Sequence, residues 1–345
     1  MRILHAGNFG TRAKGAALNS IAPKLSRGMV RAGHAVVDFA DRDAMRAWGG
    51  RFAGIAGANR ALSRLVLDVR PDLLLLGHAD TIRAATVAAL RRAMPAMRVV
   101  QWNVDPLFDA GNLARLHDKL PVVDATLVST AGAALAPLRR AHMRLGFFPN
   151  PVDFSVETGT AHTIPAPPFD LFYACGHPSR PPRTLCGRDW NMEAFMAELQ
   201  KLVPGLRPRL AGLYGAPHLT GVPYQEALGA CALGLNASRR NDLYLYSSDR
   251  LAQMAGSGQF VLVDRATRYD TLFADTEMGF FRSMDELAAL VRTMLADPAR
   301  RMAIAAAGRA RYHALFNETR VAEYVLGVAF DAHDPGRYEW PTLIA

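Results

Sequence analysis

The sequence predicts an α/β protein with two domains, each built around a mainly parallel sheet with helices on its faces. The chain has 345 residues, more than one ordinary hydrophobic core accommodates. Short apolar strands alternate with amphipathic helices, a pattern that indicates parallel sheets with helical crossovers. The alternation stops once, in a segment rich in Pro, Thr and Gly, and then begins again. Two domains joined by a linker account for both features.

The first domain is predicted to span residues 1–150. A short strand at Ile3-Leu4 is followed by a glycine-containing turn and by a helix with an apolar face from Leu18 to Met29. The unbroken apolar run Leu73–Leu76 is typical of a strand covered on both faces. Further strands are predicted at 36–39, 99–102 and 125–128. Five strands with intervening helices form a doubly wound, Rossmann-like domain.

A linker is predicted at 151–168 and a second Rossmann-like domain at 169–325. This domain begins with the strand Leu171–Ala174, and further strands are predicted at 208–213, 233–236 and 260–263. The tail, 326–345, is expected to pack back on the first domain. Two such domains face one another across a central cleft, and ligands of such sheets bind beyond the carboxyl ends of the strands. Sites are therefore expected just after six strand ends, at Leu4, Leu76, Trp102, Ala174, Asn236 and Val263.

The net charge and the apolar runs of the sequence limit the classes of partner that the chain could bind. The net charge of +9 indicates an anionic partner, such as a nucleotide diphosphate or an anionic lipid headgroup. Nucleic acid is not expected, because the basic residues are spread along the chain without interleaved aromatic residues. No apolar run reaches the roughly 18–20 residues that span a bilayer, and the first residues enter a strand at once. We therefore expect a cytoplasmic protein without a signal peptide, with at most peripheral contact with the membrane.

The cysteines bear on redox state and metal binding. Cys175, Cys186 and Cys231 are few, odd in number and without metal-type spacing. This set indicates a reduced compartment with neither disulfides nor zinc. No cluster of His and Cys occurs elsewhere in the sequence, so we expect no metal site and no bound cofactor.

Several short motifs follow one another in an order that resembles a known class of enzyme. The first half and the junction resemble GT-B glycosyltransferases, through Met1–Leu4, Lys14-Gly15, Gly33-His34, Arg42-Asp43 and Pro149–Asp153. The second half resembles the CgeB-like group-1 glycosyltransferases, through Ser248–Gln253, Gly258, Phe260–Asp264, Asp285–Leu287, Asp297–Arg300 and Gly308-Arg309. Together these motifs cover most of the chain.

The resemblance implies a GT-B fold and a metal-independent hexosyltransferase that uses a nucleotide-sugar donor. The acceptor would be a glycan, a lipid-linked group or a protein, in surface polysaccharide or glycoconjugate synthesis, and it would bind to the first domain. The second domain would bind the donor. Retention of the anomeric configuration is favoured, because the carboxyl-terminal motif resembles retaining families. The enzyme would act in the cytoplasm, or peripherally at the inner face of the membrane.

The donor diphosphate would need backbone N–H groups at a helix start together with arginine side chains. Ser247-Ser248 is a suitable N-cap pair for the helix that carries Arg250. We therefore predict a phosphate site at the N–H groups near Ser248 and Asp249, assisted by Arg239 or Arg250. The alternative interpretation is a capped helix with surface arginines.

Two further donor contacts follow from the resemblance. In the family, a glutamate five residues before the helix-ending glycine usually holds the ribose hydroxyls. Gln253 stands five residues before Gly258, so an amide takes that position and is predicted either to bind ribose or to pack the helix. The loop with Gly176, His177 and Arg180 follows the first strand of the second domain and would face the donor, or be an ordinary proline-rich loop.

The turn after the first strand is the corresponding loop of the first domain. Gly7, Asn8 and Gly10 lack the third glycine of a dinucleotide-binding fingerprint. As the first loop of a GT-B domain, the turn would close over the diphosphate or the acceptor. Gly7, Asn8 and Gly10 are therefore predicted donor-binding residues.

The chemistry requires a group near the acceptor hydroxyl. Inverting enzymes use a general base there, whereas retaining ones depend on stabilisation of the leaving phosphate. His78, Asp80 and Asp105 follow predicted strands of the first domain and are the catalytic candidates. Asp105 precedes Pro106, so the alternative is that it starts a turn. His5 is predicted to be a core histidine, and Trp102 to belong to the core or the cleft wall.

Two other functions stay open at the level of sequence. The first is a catalytically silent protein that binds sugar nucleotides or glycans, which the amide of Gln253 in a glutamate position favours. The second is a sugar-nucleotide epimerase, which shares the two-domain architecture but needs more acidic and histidine groups in the cleft. Dependence of turnover on an acceptor separates a transferase from an epimerase, and binding without turnover indicates the silent protein.

Overall fold

The computed structural model describes residues 1–176 and 182–344, with the backbone but not the side chains of residues 11–14 and 50–52. The chain divides into two compact units. The first unit consists of Met1–Pro151 together with Glu318–Ala345, and the second unit is Val152–Asn317. Each unit contains one parallel sheet flanked by helices. The predicted class, an α/β protein with two Rossmann-like sheets, is confirmed.

The sheet of the first unit has six described strands in the order β2-β1-β3-β4-β5-β6, all parallel. The strands are β1 (Arg2–Gly7), β2 (Ala35–Ala40), β3 (Leu73–Gly77), β4 (Arg98–Asn103), β5 (Ala125–Val128) and β6 (Arg144–Phe147). The helices among them are α1 (Ile21–Arg31), α2 (Asp41–Ala47), α3 (Gly50–Val69), α4 (Ala84–Ala93) and α5 (Ala110–Lys119). Strand β3 is buried along its whole length, as its unbroken apolar run predicts.

The sheet of the second unit has five described strands in the order β10-β7-β11-β12-β13, again parallel. The strands are β7 (Phe169–Ala174), β10 (Pro208–Ala211), β11 (Cys231–Asn236), β12 (Phe260–Asp264) and β13 (Gly279–Phe281), and a separate antiparallel hairpin pairs β8 (Arg183–Leu185) with β9 (Arg188–Trp190). The helices are α6 (Met192–Leu202), α7 (Val222–Gly229), α8 (Arg250–Gly256), α9 (Met284–Ala296) and α10 (Pro298–Phe316). Strand β11 is central and fully buried.

The chain returns to the first unit earlier than the sequence suggested. Helix α11 (Glu318–Ala329) belongs entirely to the first unit, whereas the second domain was expected to extend to residue 325. The return begins at Glu318 because α11 packs against α1: Arg31 pairs with Glu318 at 2.6 Å. The backbones are so close that a Cβ on Gly28 would lie 2.1 Å from the Glu318 carbonyl oxygen.

The segment 151–168, expected to be a linker, lies almost wholly in the second unit. Its backbone is held there, since the Ala161 N–H donates to the Ser257 carbonyl at 3.1 Å. Gly159 also packs against Ser257, where a Cβ would come within 2.9 Å of the serine Cβ. Proline and glycine content indicates irregular backbone, but it does not show whether that backbone is packed.

The structure was searched for disulfides, metal-binding groups and membrane-spanning helices. All three cysteines are free thiols. Within residues 1–176 and 182–344, no group of three or more His, Cys, Asp or Glu side chains is arranged to hold a metal ion. In the same part of the chain, no helix has the length and apolarity needed to cross a bilayer.

Candidate functional site

The carboxyl edge of the first sheet is assembled around two glycines and a tryptophan. Gly7 of β1 pairs with Gly77 of β3, which pairs with Trp102 of β4. A Cβ on Gly7 would lie 2.6 Å from the Gly77 carbonyl oxygen, and a Cβ on Gly77 would lie 2.1 Å from the Trp102 ring. The glycine at position 7, predicted to approach a ligand, is therefore required by the packing of the sheet itself.

The Trp102 indole is held by a buried chain of hydrogen bonds. Its Nε1–H donates to His5 Nε2 at 3.0 Å, and His5 Nδ1 lies 2.8 Å from Ser26 Oγ. The Ser26 hydroxyl in turn donates to Asp38 Oδ1 at 2.6 Å. Burial lowers the pKa of His5 to about 3, so the imidazole is neutral and carries its proton on Nδ1. Both side chains are buried: His5 is a core histidine as predicted, and Trp102, predicted to belong to the core or the cleft wall, is a core residue.

Two of the catalytic candidates form a pair at this edge. His78 Nδ1 lies 3.4 Å from Asp105 Oδ2, while His78 Nε2 accepts the Val104 N–H at 3.1 Å. Burial lowers the pKa of His78, and the charges of Asp105 and Asp80 oppose that shift. The imidazole is therefore neutral, with its single proton on Nδ1 and directed at the Asp105 carboxylate. His78 is also held at φ +48°, a conformation that costs a non-glycine residue roughly 1–3 kcal/mol.

The third candidate, Asp80, is bound by arginines. Arg42 donates to Asp80 Oδ2 at 2.6 Å, and Arg115 Nε lies 3.3 Å from Asp80 Oδ1. Arg115 also reaches Asp105 Oδ2 at 3.9 Å. The Asp105 side chain is 49% exposed, against 27% for Asp80. Asp105 is thus the accessible carboxylate of the cluster, and His78 and Arg115 orient it.

The turn after β1 lies at the same edge. Asn8 is partly buried, and Gly10 lies close to Asp43, where a Cβ would come within 3.2 Å of the carboxylate. Phe9 packs edge-on against His5, with ring centroids 5.0 Å apart. Three of the predicted residues of the first unit, Gly7, Asn8 and Gly10, therefore share an edge with the His78–Asp105 pair.

In the second unit, the main feature is an amide that the sequence did not single out. Asn236 ends the central strand β11 and has no exposed surface, yet neither atom of its side-chain amide has a hydrogen-bond partner among the described residues. By alternation it points to the same face as Gly234, where a Cβ would come within 2.7 Å of Met254 Sδ in α8. Sequence reasoning expected a site just after this strand, but only the structure shows that the amide is buried and unpaired.

Arg250 reaches the end of the same strand. Its guanidinium donates from Nη2 to the carbonyl of Ala237, the residue after Asn236, at 3.2 Å. Its Nε is buried and has no hydrogen-bond acceptor among the described residues. Arg239, the other predicted phosphate ligand, is joined through its carbonyl to the Thr184 N–H of β8, which places it next to the hairpin.

The start of α8 differs from the predicted N-cap. The Ser248 N–H donates to Ser238 Oγ at 2.8 Å, so it is already engaged within the protein. The Ser247 hydroxyl lies 2.9 Å from the buried Tyr269 hydroxyl. Asp249 occupies the cap position, but its side chain accepts no capping bond. The predicted Ser247-Ser248 cap is therefore wrong, because both serines bind elsewhere.

Gln253 has a specific set of partners. Its side chain is buried, its Oε1 accepts the Tyr224 hydroxyl at 2.7 Å, and its Nε2 donates to Asp249 Oδ2 at 3.1 Å. The amide thus holds the Asp249 carboxylate at the start of α8. Gly258, with φ +80°, ends the helix as expected.

The loop after β7 is described only in part. Gly176 is exposed and has open space where a side chain would be. His177 and Arg180, the other two predicted donor contacts of this loop, lie outside the described residues.

One family of known proteins matches a segment that covers most of the second unit. Residues 183–327 match the family described as glycosyl transferase-like. This segment contains Asn236, Arg250 and Gln253 and leaves out the first sheet. No match was found among curated protein sequences.

Solved structures match the whole chain. Sucrose-phosphate synthase (tll1590) from Thermosynechococcus elongatus is 12% identical with a TM-score of 0.64, over 95% of this chain and 98% of that one. HepE (Alr3699) from Anabaena, solved in complex with UDP, is 13% identical with a TM-score of 0.60, over 94% and 98%. A UDP-forming α,α-trehalose-phosphate synthase from Burkholderia xenovorans is 10% identical with a TM-score of 0.58, over 96% and 99%. At such identities the likeness shows the fold, which is GT-B.

Proposed function

Because the chain has the GT-B fold and residues 183–327 match the glycosyl transferase-like family, we propose that it transfers a hexosyl group from a nucleotide sugar to an acceptor hydroxyl. The acceptor is a glycan, a lipid-linked group or a protein, in the synthesis of surface polysaccharide or another glycoconjugate. The reaction runs without a metal, in the cytoplasm or at the inner face of the membrane.

The observation that carries this proposal is the buried Asn236 amide, which has no partner among the described residues, together with Arg250, which donates to the carbonyl of the next residue, Ala237. Buried polar atoms almost always have hydrogen-bond partners, so this orphan pair of donor and acceptor atoms supports the proposal that a ligand binds here. A nucleoside diphosphate supplies acceptors for Arg250 Nε–H and the Asn236 amide N–H₂, and a sugar or ribose hydroxyl supplies a donor for the amide oxygen. Asn236 is the last residue of β11 and Arg250 donates to the carbonyl just after it, at the carboxyl end of the strand, where parallel sheets bind ligands.

The acceptor hydroxyl is assigned to Asp105 in the first unit. Its exposed carboxylate, oriented by His78 Nδ1–H and Arg115, accepts a hydrogen bond from the attacking hydroxyl. The acceptor oxygen forms a bond to the anomeric carbon while the bond from that carbon to the diphosphate breaks. We propose retention, following the carboxyl-terminal motif, so the departing phosphate oxygen takes the proton and Asp105 orients the hydroxyl. An inverted product, seen by proton NMR, would instead make Asp105 the general base.

Nucleotide binding is the first test. Thermal unfolding is measured with UDP, GDP, CDP, ADP, dTDP and CMP, and with NAD as a control. One nucleoside diphosphate is expected to raise the midpoint through binding to the native state, and UDP is tested first because HepE was solved with it. Arg250→Gln is expected to weaken that binding about tenfold or more, whereas the exposed Arg282→Gln serves as a matched control with unchanged binding. Equal affinity in Arg250→Gln would refute the assigned site.

A catalytically silent sugar-nucleotide-binding protein is the second candidate. It is favoured by Gln253, an amide where the family usually has glutamate, which is held by Tyr224 and Asp249. Binding of the nucleotide sugar without transfer or hydrolysis, in the presence of acceptor glycans and with or without EDTA, would support it.

A further inference from the structure

A small polar cavity lies beside the His78–Asp105 pair, within the first unit. About 20 Å³ of it is open to the centre of a water molecule, which is room for about one oxygen atom with its hydrogens. Among its lining residues are His78, Asp80, Gln101, Arg115 and Lys119. Because His78 and Arg115 also contact Asp105, the cavity adjoins the carboxylate assigned to the acceptor.

Lys119, the last residue of α5, contributes the cationic group. It is only 5% exposed. Within the described chain its ammonium makes no hydrogen bond and no ion pair, although Asp118, Asp80 and Asp41 act on it electrostatically and Arg115 opposes them. Burial lowers the pKa of Lys119. Lys119 lines the cavity, so a group within it, a water molecule or a ligand oxygen, can accept hydrogens from the ammonium.

Gln101, on β4, contributes an acceptor. It is 4% exposed, and its Nε2 donates to Thr126 Oγ1 at 2.9 Å and to the Leu116 carbonyl at 3.4 Å. These bonds fix the orientation of the amide, so the remaining atom is the oxygen. No donor from the described residues reaches that oxygen. The cavity therefore has an unused donor, an unused acceptor and space for one small group.

A hydroxyl group matches this set, because its oxygen accepts from an ammonium while its hydrogen donates to an amide oxygen. A carboxylate or phosphate matches it less well, since it offers nothing to Gln101 and would approach the Asp80 carboxylate. We propose that the cavity lined by Lys119 and Gln101 is a subsite for a second hydroxyl of the acceptor, next to the hydroxyl that Asp105 binds. This inference rests on the proposed function and narrows it to an acceptor with neighbouring hydroxyls, which is a sugar rather than an isolated lipid or protein alcohol.

The low number of lysines allows a direct test. The sequence contains four, Lys14, Lys24, Lys119 and Lys201, so protein labelled with ¹³C at the lysine ε-carbon gives few signals. The Lys119 signal is assigned with Lys119→Met. The full-length protein is titrated with the methyl glycosides of glucose, galactose and mannose, and with cyclohexanol as an isolated alcohol. At least one glycoside is expected to shift the Lys119 signal saturably and to raise the pKa of Lys119, because the new acceptor stabilises the charged form.

Lys201 provides the control for binding at this subsite. Its signal should not move, since Lys201 is exposed and paired with Glu198, and Lys201→Met should bind the glycoside as the unaltered protein does. Lys119→Met should bind it at least tenfold more weakly while keeping its affinity for the nucleotide. A Lys119 signal that ignores every glycoside, or responds equally to cyclohexanol, would overturn the proposal. So would a response to phosphate or glucuronate but to no neutral glycoside, which would indicate an anion site. Because nucleotide binding is read separately, a failed nucleotide screen leaves this test intact.

Discussion

Replacing Asn236 with leucine should make the unliganded protein more stable, although most substitutions in a core do the opposite. The amide is fully buried, and neither of its polar atoms has a partner in the part of the chain that the structure describes. Leaving a buried polar group unpaired costs about 1–3 kcal/mol, and an apolar side chain of similar shape does not have that cost. We therefore expect Asn236→Leu to raise the free energy of unfolding of the second unit by about 1–3 kcal/mol. For a unit of this size, each kcal/mol raises the midpoint by about 2–4 °C.

Asn103 provides a matched control with the opposite sign. It ends β4, the corresponding position in the first unit, and is also buried, but it exchanges hydrogen bonds of 2.8 and 3.1 Å with Asn112 and accepts the Asp105 N–H at 2.9 Å. Asn103→Leu removes these bonds and should lower stability by about 1–3 kcal/mol. Both variants are followed by thermal unfolding, with hydrogen–deuterium exchange of β11 and β4 to report on each unit separately.

Thermal unfolding of both variants is then repeated with the nucleotide present. Asn236→Leu should lose most of the stabilisation by the nucleotide that binds the unaltered protein, because the amide is its proposed contact. If Asn236→Leu instead lowers the midpoint as much as Asn103→Leu does, the Asn236 amide has partners in the protein and the argument for a ligand there is refuted.

Two further predictions concern the first unit. Burial holds the pKa of His5 at about 3, against about 6.5 when unfolded, so the unfolded chain binds the extra proton between these values. The free energy of unfolding should therefore fall as the pH falls through that window, by up to about 1.4 kcal/mol per pH unit. In urea unfolding, the His5→Gln variant should show a shallower dependence of this free energy on pH. An unchanged dependence would contradict the lowered pKa of His5. Gly77→Ala should destabilise the first unit by about 1–3 kcal/mol, because its Cβ would overlap the Trp102 ring. Gly111→Ala in α5 is the control and should be neutral or stabilising, since its Cβ would lie 3.3 Å from its nearest neighbour, the Asp109 carboxylate. Equal unfolding midpoints for the two alanine variants would count against the close packing of Gly77 on Trp102.

The sequence predicted the architecture well because periodicity is a local property. The apolar run Leu73–Leu76 and the alternation around it were enough to place the central strand β3 and its crossovers. The hairpin β8–β9 was missed, since its strands have three residues each. Its two-residue turn depends on positive φ at Cys186 and Gly187, and Cys is an unusual residue for that conformation.

The candidate site was predicted only in outline, because its chemistry depends on contacts between distant segments. Strand ends identified His78, Asp80 and Asp105, and the structure brings them together through Arg115. No sequence pattern shows that His78 Nε2 is occupied by a backbone N–H. Nor does one show that the Asn236 amide is unpaired, because hydrogen-bond satisfaction is a property of the folded chain alone.

The early return of the chain at Glu318 affects the order in which the protein folds during synthesis. The first unit is discontinuous: the second unit is inserted between β6 and α11. Helix α1 meets its partner α11 only after the whole inserted unit has left the ribosome, as the Gly28–Glu318 contact illustrates. The second unit, whose chain is continuous, can therefore complete its core first, although it is translated later than most of the first unit. Until then the nascent first unit lacks the helix that covers one face of α1.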